Sequence, residues 1–307
     1  MSFFKKRKIL ITHNGSFHAD DLFATAALSI LNDGNIKIIR TRDPKIFEKG
    51  DYVYDVGGEN DPERNKFDHH QKGGAGVREN GIPYSSFGLV WKKFGEQICG
   101  NKEIADNINL RIVMPIDAND NAFDIFKPIL EGIHPYGVNS IFLSESPTWK
   151  EDNSNINFIF EKQVKKVIEL LKREIKVSKD DVEGQKIIIK AYEKTQDKRI
   201  ITVDFDLPRY LMQETLCKFV EPIYFVYPGF RGDKIIGWKT EAVRKSIDTM
   251  ESRKLFPESW RGIMESSGEL KEITKIKDAK FCHQSGFLLT AGSKEGAISL
   301  AEKALLE

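Results

Sequence analysis

Short apolar runs rich in β-branched residues alternate with helical patterns through the first half of the chain. This alternation restricts the fold more than any other feature. KILITH (8–13), IKIIRT (36–41) and DYVYDV (51–56) read as buried strands. DLFATAALSIL (21–31), closed by Asn32-Asp33-Gly34, and SFGLVWKKFGEQI (86–98) carry helical spacing and propensity. Parallel strands need long crossover connections, usually helices. The rhythm therefore predicts an α/β fold with a mostly parallel sheet and helices on both of its faces. In such sheets ligands gather beyond the carboxyl ends of the strands.

From residue 153 the period changes. Phe160, Val164, Val167, Ile168, Leu171 and Ile175 follow helical spacing on one face of an otherwise charged segment. Strand-like runs return in KRIITVDF (198–205), PIYFVYPGF (222–230) and KIIGWKTEAV (234–243). The chain closes with CHQSGFLLTAG (282–292) and a helical KEGAISLAEKALL (294–306). A length of 307 residues is more than one ordinary core accommodates. The expected organisation is an α/β domain at 1–152, a helical connector at 153–198 and a smaller α+β domain at 199–307.

The net charge of +1 argues against a global basic field of the kind that grips long polyanions, and leaves room only for a local basic groove. KKVIELLKREIK interleaves its lysines with glutamates and reads as a solvated helix face. Cys99, Cys217 and Cys282 are far apart and odd in number, which fits a reducing compartment and lacks the paired spacing of a zinc site. KILIT is too short for a signal-peptide core, and no run approaches the roughly 18 apolar residues of a membrane span. A cytoplasmic protein that does not enter membranes is expected, with self-association left open.

Chemistry concentrates near the start. Four of the six histidines, His13, His18, His69 and His70, fall in the first 70 residues, each at or just beyond a predicted strand. Asp20 and Asp21 enter the first helix, Asp55 ends a strand, Asp68 precedes the histidine pair in FDHHQKGG, and Asp117 and Asp120 follow the apolar LRIVMPI. Taken singly, a strand-end aspartate is a turn or cap residue, and adjacent histidines are usually solvated. Solvated histidines have no reason to gather at strand ends, so the clustering favours a metal site. A mixed imidazole and carboxylate shell suits Mn²⁺, with Mg²⁺, Zn²⁺ or Co²⁺ as alternatives. The ligands exceed what one ion needs and fit two ions roughly 3.5–4 Å apart around a shared carboxylate.

The order His13…Asp20, Asp55, Asp68-His69-His70 and Asp117 resembles the four motifs of the DHH phosphoesterase superfamily. THNGSFHADD, RTRDP, DVGGENDPERNKFDHHQ, PTW, ESWRGI and HQSGF…KEGA resemble more closely the melanocyte-proliferating-gene family of DHH-like metal-dependent hydrolases, reported as RNA exonucleases. The resemblance implies that His13, His18, Asp20, Asp55, His69 and Asp117 hold two metals, with Asp55 bridging and His70 facing the substrate. His18 stands where the wider superfamily has an aspartate, which leaves the site less negative towards a phosphate.

The same resemblance assigns His283 and Arg261 to substrate binding in the second domain, closing over the active site about the connector. Arg42 is read either as a bidentate phosphate partner or as a surface arginine. Ser85 and Ser86 are either helix caps or donors to a substrate anion. The implied activity is metal-dependent hydrolysis of RNA or short oligonucleotides from an end. A small-molecule phosphoesterase or pyrophosphatase, or a non-catalytic metal- or nucleotide-binding module, are the rival readings.

Overall fold

A computed structural model describes residues 6–307. These residues form two compact units, one reaching Lys179 and the other spanning Asp180–Glu307.

The first unit contains β1 (Lys8–Thr12), α1 (Ala19–Leu31), β2 (Ile36–Arg40), α2 (Pro44–Phe47), β3 (Tyr52–Tyr54), β4 (Asn60–Asp61) and β5 (Lys66–Phe67). It continues with α3 (Ser86–Cys99), α4 (Lys102–Ile108), α5 (Met114–Asp120), α6 (Val138–Leu143) and most of α7 (Ile156–Lys194). The strands lie in the order β2-β1-β3-β5-β4. All neighbours are parallel except the β4–β5 pair. Gly34 and Gly100, both with positive φ, end α1 and α3 in the left-handed conformation that releases a chain from a helix.

Side chains alternate across the strands, so the sheet has two distinct faces. Leu10, Tyr52, Tyr54 and Phe67 pack with Phe23 of α1, Phe87 of α3 and Phe160, Val164, Val167 and Leu171 of α7. Ile11 and Val53 point the other way and meet Ile46 and Phe47 of α2. The sequence predicts helices on both faces. Among the described residues, the helix packed on the second face is this one-turn α2, and Ile9 and Ile39 there stay half-buried.

The apolar LRIVMPI that leads to Asp117 is helical. Asn109–Val113 is a π-helical turn that runs directly into α5. A short apolar run does not by itself distinguish a buried strand from a buried helix.

The second unit holds the remainder of α7, then β6 (Ile200–Thr202), α8 (Arg209–Leu216), β7 (Tyr224–Arg231), β8 (Lys234–Ala242), α9 (Glu269–Thr274), β9 (Ala279–Cys282), β10 (Leu288–Ala291) and α10 (Lys294–Leu306). Its sheet order is β6-β7-β8-β10-β9, antiparallel apart from β6–β7. Ala297, Leu300, Ala301 and Ala304 of α10 pack on one face with Trp238 and Trp260. Leu211, Met212 and Leu216 of α8 pack on the other with Phe225 and Tyr227. None of the described helices is long and apolar enough to cross a membrane.

Leu171 is fully buried on α7, whereas its neighbour Leu170 is 39% exposed. Leu171→Ala is expected to lower stability by about 2–5 kcal/mol. Leu170→Ala should cost about 0.5 kcal/mol or less. Urea denaturation of the two variants checks the difference.

Candidate metal centre

Four neighbouring parallel strands bring the site together at their carboxyl ends. The register pairs Thr12 with Arg40, Ile11 with Val53, and Tyr54 with Phe67. The residues just beyond these positions therefore share one edge of the sheet: Arg42 after β2, His13 after β1, Asp55 after β3, and Asp68-His69-His70 after β5.

Asp55 adopts a left-handed conformation (φ 56°), which aspartate tolerates better than most residues. One carboxylate oxygen lies 3.1 Å from His13 Nε2 and the other 3.3 Å from His69 Nε2. A second oxygen contact to His13 Nε2 comes from Asp21, at 3.3 Å. His69 Nε2 also lies 3.2 Å from Asp120 and 4.0 Å from Asp20. His18, Asp20 and Asp120 form one group of potential ligands, His13, His18 and Asp55 a second, and Asp55, His69 and His70 a third.

The supporting contacts fix how these groups point. His13 Nδ1 lies 3.1 Å from the Asn14 carbonyl, a contact that orients the ring with Nε2 towards the Asp55 and Asp21 carboxylates. Asp21 accepts the His18 backbone N–H (2.9 Å) and so ties the entry of α1 to the site. Asp68 accepts N–H donors from Gly58 (2.5 Å) and His69 (2.8 Å), and its Oδ1 stands 2.8 Å from His70 Nδ1. The His70 side chain is 61% exposed, and its Nδ1 also lies 3.5 Å from Asp55.

Electrostatics make the cluster costly without positive charge. Burial, then the charges of Asp55, Asp120 and Asp21, hold Asp20 well above the ordinary carboxylate range. Burial and Asp55 push Asp21 up to about 7, against the pull of His13. Asp55 moves the other way: burial opposes its ionisation, but hydrogen bonds from His13 and His69 outweigh it. Burial works against protonation of both imidazoles, yet their carboxylate neighbours raise them. Both Asp20 oxygens and one Asp21 oxygen are buried without a hydrogen-bond donor among the described residues. Orphaned buried carboxylates beside imidazoles are what a divalent cation satisfies, so the residues fit a metal.

The structure gathers His13, His18, Asp20, Asp55 and His69, and it does not gather Asp117 with them. Asp117 is fully buried in a cage of its own, accepting from Ser85 Oγ (2.5 Å), Gly88 N–H (3.0 Å) and Arg78 Nη2 (2.5 Å). Asp120, one helical turn later, faces the cluster instead. Ser85 and Ser86 use their side chains inside the unit. Each is completely buried; Ser85 is the N-cap residue of α3 but makes no side-chain cap bond and donates instead to Asp117, while Ser86 donates to Asp55 (3.3 Å). Arg42 is exposed at the rim, with Nη2 3.2 Å from His13 Nδ1.

In the second unit, His283 Nδ1 accepts from the Ser285 N–H (3.1 Å), which leaves its proton on Nε2. Arg261 Nε donates to the Phe256 carbonyl (2.9 Å) and packs against Gly286, where a Cβ would come within 2.5 Å of that nitrogen. Asp120, named in the sequence beside Asp117 but given no ligand role there, is the one of the two that faces the cluster, and sequence reasoning missed Arg78. Arg78 carried no usable signal.

A family model described as "Uncharacterised protein family (UPF0160)", that of the MYG1 exonuclease, matches residues 9–305. The chain belongs to this family. The matched span takes in both sheets and every residue of the candidate centre. The human MYG1 exonuclease is 27% identical over 329 residues, covering 96% of this chain and 85% of the human protein. A MYG1 protein of Schizosaccharomyces pombe is also 27% identical, with 96% and 97% covered. A MYG1 protein of Chlamydia pneumoniae is 32% identical over 293 residues, with 92% of each chain covered.

A cation at this centre competes with protons. Asp20 and Asp21 have folded pKa values above their unfolded ones, so without metal their contribution to stability falls as the pH rises from about 4 to about 7. Ionised carboxylates bind cations, so the gain from added Mn²⁺ should run the opposite way. The increase in melting temperature on adding Mn²⁺ is expected to be larger at pH 7.5 than at pH 5.5. An increase that is flat or shrinks over that interval contradicts the assignment.

Proposed function

We propose that the protein is a metal-dependent phosphodiesterase of the DHH phosphoesterase type, hydrolysing RNA or short oligonucleotides from an end. One observation carries the reading: the buried Asp55 carboxylate divides its two oxygens between His13 and His69, with Asp20 and Asp120 alongside. Membership of a family whose human relative is called an exonuclease supports it.

His13, His18, Asp20, Asp55, His69 and Asp120 would hold two divalent cations, with Asp55 shared between them. Mn²⁺ suits this donor set best, and Mg²⁺, Zn²⁺ and Co²⁺ are alternatives. Such cations supply charge that neutralises a phosphoryl group and acidifies water. The chain's own groups do the rest. Asp68 holds the His70 ring by Nδ1, so that Nε2 faces an incoming phosphate and donates to it or exchanges a proton with it. The exposed Arg42 guanidinium pairs with a phosphoryl oxygen as charge builds there. His283 and Arg261 are assigned to the substrate's end. The near-neutral net charge favours short substrates, because long polyanions are held by many basic contacts. A small-molecule phosphoesterase is the second reading on the same ground, and dependence of rate on chain length separates the two.

Incubation of the purified protein with Mn²⁺ and end-labelled short RNA should yield shortened products that chelator abolishes. Asp55→Ala should lower kcat/KM by more than about 100-fold, beyond the loss typical of residues that only support a ligand. Absence of product with Mn²⁺, or equal product from Asp55→Ala, rejects the reading.

A further inference from the structure

Arg78 belongs to no motif and touches none of the candidate ligands, yet it is almost wholly buried, with its side chain 6% exposed. A tight turn holds it: the Arg78 N–H donates to the Ile82 carbonyl (2.9 Å) and the Gly81 N–H to the Arg78 carbonyl (2.9 Å). Its guanidinium lies 4.0 Å from the centroid of the Tyr84 ring and donates to Asp117 Oδ2 (2.5 Å). The other Asp117 oxygen accepts from Ser85 and Gly88, at the start of α3. A Cβ on Gly88 would come within 1.9 Å of Asp117, so the two helices meet there with no slack.

Each partner of this brace is one short step from the metal cluster. Ser86, next to Ser85, donates to Asp55. Asp120, one turn beyond Asp117 on α5, lies 3.2 Å from His69. The brace therefore joins the helix that supports Asp55 to the helix that presents Asp120. A buried ion pair is weak evidence of stabilisation in itself, since apolar residues often serve as well. Its value here is in register: removing Arg78 leaves Asp117 buried without its counter-charge, so the carboxylate takes up a proton or water and the contact that fixes α5 against α3 is loosened.

We infer that Arg78 is a positioning residue of the metal centre, setting Asp120 relative to Asp55 through Asp117. The inference rests on the metal-dependent reading above and adds to it a residue that no ligand pattern identifies.

Calorimetric titration of the metal-free full chain with Mn²⁺ tests it, using wild type, Arg78→Gln, Arg78→Lys and Lys92→Gln. Lys92 is the control, because its ammonium also lies over Tyr84 (4.8 Å) but its side chain makes no contact with Asp117 among those described. Arg78→Gln should weaken Mn²⁺ binding about 10- to 100-fold, the range of residues that orient metal ligands. Arg78→Lys, which keeps the charge, should lose less, and Lys92→Gln should bind as wild type does. A purely structural role would lower the melting temperature of metal-free Arg78→Gln and leave its Mn²⁺ affinity unchanged, and that result overturns the inference. If wild type itself binds no Mn²⁺, the metal-dependent reading fails and this inference with it. If wild type binds and Arg78→Gln binds equally, only the positioning role is lost. Should Arg78→Gln not fold, Ser85→Ala removes the other side-chain donor to Asp117, and a loss of affinity in the same direction is required.

Discussion

Like charges held together in a dry site set the terms for the first unit. Asp20, Asp21 and Asp55 are at most 2% exposed, and Asp120 stands beside them. Carboxylates this close cannot all stay ionised without compensation, because desolvation and mutual repulsion act in the same direction. His13 and His69 supply part of the compensation, and Asp55, touched by both, is the one carboxylate pulled low. Asp20 has no donor at either oxygen among the described residues and is driven the other way. Such a divergence between two neighbouring carboxylates is common where a site is able to hold a cation, and His13, His18, Asp20, Asp55 and Asp120 form such groups here.

The scaffold spends its regularity on holding that arrangement. Adjacent parallel strands in the order β2-β1-β3-β5 place Arg42, His13, Asp55 and His69 along one edge. The left-handed turn at Asp55 and the positive φ values of Gly57 and Gly58 let the chain leave β3 sharply, and Gly58 then donates to Asp68. Asp68 in turn orients the residue that faces solvent, His70. Asp117, Ser85 and Ser86 act here as internal struts, joining α3 to α5 and to Asp55.

Much of this was legible in the sequence for identifiable reasons. The strands of the first sheet are short, β-branched and separated by helix-length segments, so their parallel order and common edge followed. Residues at strand ends are reliable in direction because the strand itself aims them. Helix residues are not: a displacement of three positions decides between Asp117 and Asp120, and an apolar run such as LRIVMPI gives no period long enough to locate a helical face. The side-chain partners of the buried serines, Asp117 and Asp55, are 32 and 31 residues away in sequence and leave no local signal. The uneven cover of the sheet escaped notice for a similar reason, since a four-residue helix leaves almost no periodic trace.

We propose that imidazoles and carboxylates from distant segments hold a pair of cations around Asp55. Elemental analysis of the protein after loading with Mn²⁺ and removal of excess metal tests it most directly. The account predicts two equivalents per chain, falling sharply in Asp55→Ala. No retained metal in the wild-type protein, or equal retention in the variant, would contradict it.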